Sequence, residues 1–301
     1  MKLKAFIALL ACTCLLLSLY ACNGSDEASG SGAGASSAAE SGYIYKSDSV
    51  EVVPLKGDEV RNFTFYNWAE LEPEEVFTRA AALCGTVSNI REAKVLYKSD
   101  GEDKEGQITL FDLTVKDILF SKKGSVTVGD TVTVTLDYNT TVHDGELPVL
   151  TEGEDCIAFL DLSSEMAESY PLLAEADKYS DYYAYDPNQL LCEKVGDGYI
   201  TRAFFGEALH APSIYELLGL NDTLIDTLRA NDPNRKIEDV RAAARSNLPH
   251  GSALEQAGCE AMGNIFLRTY HQGDVRFLSK TTNIIEAKAL EDYIRTEAGK
   301  Y

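Results

Sequence analysis

The chain has 301 residues, of which 45% are hydrophobic and 25% charged, a globular composition whose outlying feature is a net charge of −21 at pH 7. Charge of that sign and size repels phosphate backbones and anionic surfaces at long range, which argues against nucleic acid as a partner. The four histidines, His143, His210, His250 and His271, include no pair at a helical ligand spacing and no HExxH, and the cysteines form no CxxC, so the sequence offers no metal set and implies no cofactor.

In chain order, Lys2 and Lys4 come first, followed by the apolar run Ala5–Leu19, the charged and hydrophobic regions of an export signal. A permanent membrane span is the competing reading. It needs about 20 apolar residues, slightly more than this run supplies, and no basic stop-transfer cluster follows. Cleavage before Cys22 would place Leu19 at −3, a residue unsuited to ordinary signal peptidase, and Ala21 at −1. Leu19-Tyr20-Ala21-Cys22 instead resembles the lipobox of bacterial lipoproteins, departing from it at Tyr20, where a small residue is usual. The resemblance implies that the Cys22 thiol carries diacylglycerol, with palmitate among the acyl chains expected, and that Cys22 becomes the mature N-terminus. Leu9-Leu10-Ala11-Cys12 also fits the pattern but leaves too short an apolar region after Lys4, so Cys12 and Cys14 read as residues of a discarded signal. Two acyl chains supply the two signals that stable anchoring requires. The expected place is the extracytoplasmic side of the cell membrane, with the membrane itself as a partner through the lipid. Loss of Lys2 and Lys4 with the signal takes the charge from −21 to −23.

Asn23–Gly42 is a Ser/Gly/Ala tract without apolar periodicity and reads as a tether, spanning about 25 Å r.m.s.. Tyr43–Leu55 and Asn62–Tyr66 look extended, and Glu72–Phe77 looks like a short helix with Pro73 in its first turn. Arg79–Glu92, Gln107–Leu119, Ser125–Tyr138 and Glu154–Leu162 alternate or run apolar with β-branched residues, the pattern of strands. Gln189–Val195 and Tyr199–Phe204 flank Gly196-Asp197-Gly198, a tight hairpin. From there the pattern turns helical. Asn221 caps a helix carrying Leu224 and Leu228, and Asn234 caps another with Ile237, Val240 and Ala244 that ends near Pro249. Asn264–Thr269 and Asp274–Ser279 read as a small hairpin around Gln272-Gly273. Asn283 and Glu286 read as the capping box of a last helix with Leu290, Tyr293 and Ile294.

The order Cys84-Gly85-x-Val87, Phe111–Leu119, a Lys-Lys-Gly turn, Val128-Gly129-Asp130-x-Val132-x-Val134 and Glu152–Leu160 resembles the OB-type barrel of the netrin-module and tissue-inhibitor-of-metalloproteinase superfamily, a pattern shared by exported bacterial proteins. The resemblance covers Val76–Leu162 and extends toward Phe204. It implies an α+β fold, a small OB-like antiparallel β-barrel with the C-terminal helices packed on it or forming a second lobe. The expected division is a signal at 1–21, the lipidated cysteine and tether at 22–42, the barrel domain at 43–205 and a mainly helical region at 206–301. The inhibitors of that superfamily grip a protease metal through a free N-terminal Cys. An acylated Cys22 at the end of a tether does not carry that mode of action over.

Candidates for chemistry are few. Cys84, Cys156, Cys192 and Cys259 are buried free thiols or the halves of one or two disulfides. Cys192 or Cys259 as a nucleophile would need a histidine that spacing cannot supply, and G-x-S-x-G is absent from the body. Asp100-Gly101-Glu102-Asp103-Lys104-Glu105 is rich enough in oxygen for Ca²⁺, but it lacks the spacing of a calcium loop and its lysine competes, so it reads as a solvated hairpin tip. The segment Tyr179–Asn188 places Tyr179, Tyr182, Tyr183 and Tyr185 among acids and amides. Such rings either bind a glycan or protein ligand or pack on the barrel edge. The expectation is a lipid-anchored binding or scaffold module without catalytic residues; the alternative is an envelope hydrolase acting on cell-wall or secreted substrates with carboxylates as acid and base.

Overall fold

A computed structural model describes residues 42–55, 71–137, 150–230, 237–246, 251–268 and 272–301, all within one unit, Ala38–Tyr301. The signal, Cys22, the tether to residue 41 and the extended segment Asn62–Tyr66 lie outside the described residues.

Strands β1 (Tyr45–Lys46) and β2 (Val50–Pro54) form a hairpin whose turn is closed by Ser47. Its Oγ accepts the backbone N–H groups of Ser49 (3.1 Å) and Val50 (3.0 Å). Helix α1 (Pro73–Phe77) starts where Pro fits the first turn and the Glu75 carboxylate accepts the Glu72 N–H at 3.2 Å. Two long strands follow, β3 (Ala81–Ser99) and β4 (Glu102–Ser121). They are joined by a two-residue turn in which Asp100 (φ 56°) and Gly101 (φ 80°) both have positive φ, the requirement of a type I′ hairpin. Then come β5 (Thr131–Leu136), β6 (Asp155–Leu162), α2 (Ser163–Ser169), two single 3₁₀ turns, β7 (Tyr182–Ala184), α3 (Pro187–Leu190), β8 (Leu191–Val195) and β9 (Gly198–Thr201). The rest is helical except for one strand: α4 (Ala203–Ala208), α5 (Ile214–Leu217), α6 (Asp222–Ala230), α7 (Ile237–Ser246), α8 (Ala253–Arg268), α9 (Gln272–Thr281), β10 (Asn283–Glu286) and α10 (Ala287–Ala298).

The fold is α+β. Its strands run β1-β2-β3-β4-β5-β7-β6-β8-β9-β10 in one sheet, with β6 also paired to β3. The hydrogen-bonded ladder that leaves β3 through β4, β5 and β7 therefore returns to it through β6; β5–β7 is parallel and its neighbours are antiparallel. Side chains from these five strands, among them Leu83, Val87, Phe111, Leu113, Val134, Leu160 and Tyr182, form one buried cluster. The opposite face of β3 and β6, carrying Ala82, Cys84, Ile157 and Phe159, is covered by Phe77 of α1, Phe205 of α4, and Leu290 and Ile294 of α10. A third cluster joins β9 and β10 to helices α5, α6, α8 and α9.

Register shifts in β3 fall at Ala82/Leu83, at Cys84/Gly85 and between Ser88 and Arg91, where Asn89 takes φ 52°. Such bulges bend a strand and raise its twist. Beyond the last of them, Ala93–Tyr97 pairs with β2 and, with β4, forms an arm whose underside packs Val95, Ile108 and Leu110 on Leu173 and Ala176 of the 3₁₀ segment.

The structure departs from the sequence reading in four places. The β3–β4 hairpin runs on through Ser99 and Glu102, well past the expected ends at Glu92 and Gln107, because Val95 and Ile108 gain a partner surface distant in sequence. Strand β5 begins only at Thr131. Gly129 has φ 97° and the Asp130 carboxylate accepts the Thr127 N–H at 2.8 Å, so Gly-Asp makes a turn and leaves Val128 62% exposed. Where a hairpin was expected around Gln272-Gly273, α8 runs to Arg268 and α9 begins at Gln272. Ala261, Met262 and Ile265, then Val275 and Leu278, recur at helical spacing and are all buried. Finally, Asn283 does not cap the last helix: Asn283–Glu286 pairs with Gly198–Thr201, and α10 starts after Glu286. The sheet thus continues past residue 205.

A Cβ on Gly85 would stand 2.5 Å from the Thr114 carbonyl oxygen and 2.9 Å from Leu113 Cγ. Gly85→Ala should therefore lower stability by about 1–3 kcal/mol. Urea unfolding of the variant checks this, and an unchanged midpoint would mean that β3 and β4 can separate at the bulge without cost.

Candidate functional site

The tyrosine-rich segment was the sequence's strongest candidate for binding, and the strand period decides where its rings go. Successive residues of β7 point to opposite faces. Tyr182, 3% exposed, enters the cluster enclosed by β3–β7, while Tyr183, 8% exposed, enters the cluster under the arm. Tyr179 is half-buried against the arm, its ring centroid 5.6 Å from that of Tyr45. Tyr185 is half-buried beneath the Arg79 guanidinium, 4.1 Å from its ring centroid. The four rings fall in three packing clusters, Tyr179 and Tyr183 sharing the one under the arm.

The carboxylates around that segment are drawn together instead. Arg79 Nη1 donates to Asp161 Oδ2 at 3.1 Å, the Tyr183 hydroxyl is hydrogen-bonded to Asp137, and Gln189 Nε2 donates to Asp186 Oδ2 at 3.0 Å. Asp186 also has φ 34°, a left-handed backbone directly before Pro187. Burial pushes its carboxyl above the ordinary value of 3.8; hydrogen bonds with Gln189 oppose the rise and the Asp137 charge adds to it. Positive φ at a non-glycine residue combined with a raised carboxyl marks a site whose surroundings hold it in place.

A second polar constellation lies on the outer face of β3, β4 and β5. Asp112 accepts from Asn89 Nδ2 (2.8 Å), Arg91 Nη2 (2.7 Å) and Thr133 Oγ1 (3.1 Å). Beside it the hydroxyls of Thr114 and Thr131 are 3.1 Å apart. Thr131 and Asn89 are exposed, and Arg91, Asp112, Thr114 and Thr133 half-buried. The Arg91 guanidinium neutralises Asp112, so this face is polar with little net charge. The alternating threonines of β5 were visible in the sequence, but Asn89 and Arg91 reach Asp112 only through the bulge in β3, which no local pattern announces.

Cys84, Cys156, Cys192 and Cys259 are buried and free. Burial raises all four thiols, which disfavours the thiolate that a nucleophile needs. Cys84 Sγ lies 3.3 Å from the Tyr199 hydroxyl, which donates to Glu291 Oε1 at 3.2 Å; the pair ties β3 and β9 to α10. His210 is exposed with φ 51°, and His143, His250 and His271 lie outside the described residues. In the acidic turn, Lys104 Nζ is 3.7 Å from Asp100. Among the described residues no group of three His, Cys, Asp or Glu side chains could hold a metal ion, and no helix is long and apolar enough to cross a membrane.

Asp186 binds its proton more readily in the folded chain than in the unfolded one. Folded molecules therefore hold more protons between pH 3.8 and the raised value, and stability falls as pH rises through that window. Asp186→Asn, which keeps an acceptor for Gln189 and tolerates left-handed backbone, should be more stable than the wild type at pH 7. The advantage should shrink as pH approaches 3.8. Unfolding midpoints of both proteins across that range give the answer, and a pH-independent difference would contradict the assignment.

No family model, no curated protein and no solved structure matches this chain.

Proposed function

We propose that the chain is a lipid-anchored extracytoplasmic binding or scaffold module, held to the cell membrane through Cys22, with an OB-type barrel formed by β3, β4, β5, β7 and β6 as its recognition element. The observation that carries this reading is the strand circuit. The fourth strand of the set, β6, pairs with the first, β3, and β5 runs parallel to β7, an order that supports reading the five strands as an OB-type barrel. One outer face of these strands packs on α1, α4 and α10, whereas the face around Asp112 is exposed or half-buried and rich in hydroxyl, amide and guanidinium groups. A near-neutral polar face suits a glycan or a polar protein surface, and the chain's charge of −21 disfavours nucleic acid. The lipobox resemblance of Leu19–Cys22 supports the anchor.

Two measurements test the two halves of the reading. Cys22→Ala should abolish incorporation of labelled fatty acid and release the protein from the membrane fraction; full retention, with no label in the wild type, would sink the anchor. Full-length protein should be retained on immobilised cell-wall glycan, and Asp112→Ala should weaken retention by about tenfold, the usual cost of a lost hydrogen bond to a charged group. Equal retention of the variant would remove this face from consideration.

A further inference from the structure

The outer face around Asp112 continues toward β6. In register across adjacent strands, Asp155 of β6 stands beside Thr86 of β3, Thr86 beside Thr114 of β4, and Thr114 beside Thr131 of β5. Two residues along the strands lies a second row, Ser88, Asp112 and Thr133. Thr131 is exposed and the others are half-buried. Beyond each row the face is covered. On one side Cys84 and Ile157 pack with Leu290 and Ile294 of α10; on the other, Leu110 packs with Leu173 and Ala176, and its β5 partner Thr135 is fully buried. What stays open is a strip that runs across the strands, about 14 Å long and with about 7 Å between its two rows, from the usual strand spacing and rise.

The hydrogen bonds already made decide what the strip has left to offer. Asp112 accepts from Asn89, Arg91 and Thr133, and Asp155 Oδ1 accepts from Thr86 at 2.7 Å and from Lys116 Nζ at 2.6 Å. Each carboxylate is matched by a cation, so the strip carries no net charge. Thr86 and Thr133 give their protons to these carboxylates and keep acceptor lone pairs. Of the Thr114 and Thr131 hydroxyls, 3.1 Å apart, one donates to the other and the second keeps its proton. Lys116, whose side chain is 54% exposed, has further N–H donors. Donors and acceptors therefore lie intermixed along the rows. A simple anion calls for donors alone and a simple cation for acceptors alone, whereas each hydroxyl of a sugar is both. A protein partner calls for a buried aromatic or apolar anchor, and the strip's own side chains are all polar.

We infer that this strip binds a linear, uncharged glycan lying across the strands, with about three sugar rings in contact over its length, Thr131 at one end and Lys116 at the other. The inference rests on the reading of the Asp112 face as the recognition surface, and commits that face to one ligand class, one orientation and one length.

Isothermal titration of the full-length protein in detergent with N-acetylglucosamine and its linear dimer, trimer and tetramer tests it. Affinity should rise about tenfold or more from monomer to trimer, as added rings gain hydrogen bonds, and by less than about twofold from trimer to tetramer, once the strip is filled. Thr131→Val, which keeps the β-branched shape suited to a strand, and Lys116→Ala, at the opposite end, both alter exposed positions. Each should weaken the trimer about fivefold, whereas the monomer, too short to reach both ends, should respond to at most one of them. A trimer that binds no more tightly than the monomer overturns the inference, as do end variants that leave the trimer unchanged while Asp112→Ala weakens it; in both cases the reading of the Asp112 face survives. If no member of the series binds, the inference and the glycan reading fall together and the face is left to a protein surface.

Discussion

Along Ala81–Thr86, strand β3 gives one edge to β4 and the other to β6, and a few residues later it gives an edge to β2. Among the described strands only β6, paired with β3, β7 and β8, joins as many neighbours. For one strand to serve these partners it must bend, and the register shifts at Cys84/Gly85 and Ser88–Arg91 supply the bend. The absence of a side chain at Gly85 is what lets Thr114 and Leu113 of β4 come close at the Cys84/Gly85 shift. Both polar and apolar faces of the molecule follow from this coiling. Ala82 and Cys84 are turned toward the helices, Leu83 and Val87 toward the enclosed cluster, and Asn89 and Arg91 toward Asp112.

The elements whose pattern is local were legible in the sequence. Val132, Val134 and Leu136 alternate with threonines and form β5. Pro73 and Glu75 start α1, the Asn221 side chain caps α6 by accepting the Leu224 N–H at 2.8 Å, and Gly196-Asp197 turns β8 into β9. What failed depended on distant partners. The outer arm reads as polar loop until Val95 and Ile108 meet Leu173 and Ala176. Asn283–Glu286 has the letters of a capping box, but Ile284 and Ile285 are claimed by β9 and by two separate cores. The tyrosines illustrate the same limit: composition shows a surface-active segment, and only the alternation along β7 assigns Tyr182 and Tyr183 to opposite interiors.

Some interior polar groups join elements that composition gave no reason to connect. Tyr199 is fully buried, yet its hydroxyl reaches both Cys84 and Glu291. Arg79 stacks on Tyr185 while bonding Asp161 and the Glu75 carbonyl. These contacts join the strand circuit to the helices and to the tyrosine segment, while burial holds the thiols in their protonated form. Oxidation of such groups requires the fold to open first, so the redox poise of the surrounding compartment has little purchase on the native chain.

The position of β1 has a mechanical meaning. The chain enters the sheet at Ile44, whose N–H bonds the Val52 carbonyl at 2.7 Å, and β1 itself pairs only Tyr45 with Val52 and Lys46 with Glu51. Beyond the backbone, the Tyr45 hydroxyl and Ser47 both hold Glu175, at 2.6 and 3.2 Å. Any tension transmitted through the N-terminal segment arrives at this two-residue edge strand, far along the arm from the strand circuit. Such a hairpin yields one bond at a time. A tug at Tyr43 would free the residues of β1 and β2 while β3, β4 and β6 keep their ladders, so the first thing force extracts from the molecule is slack.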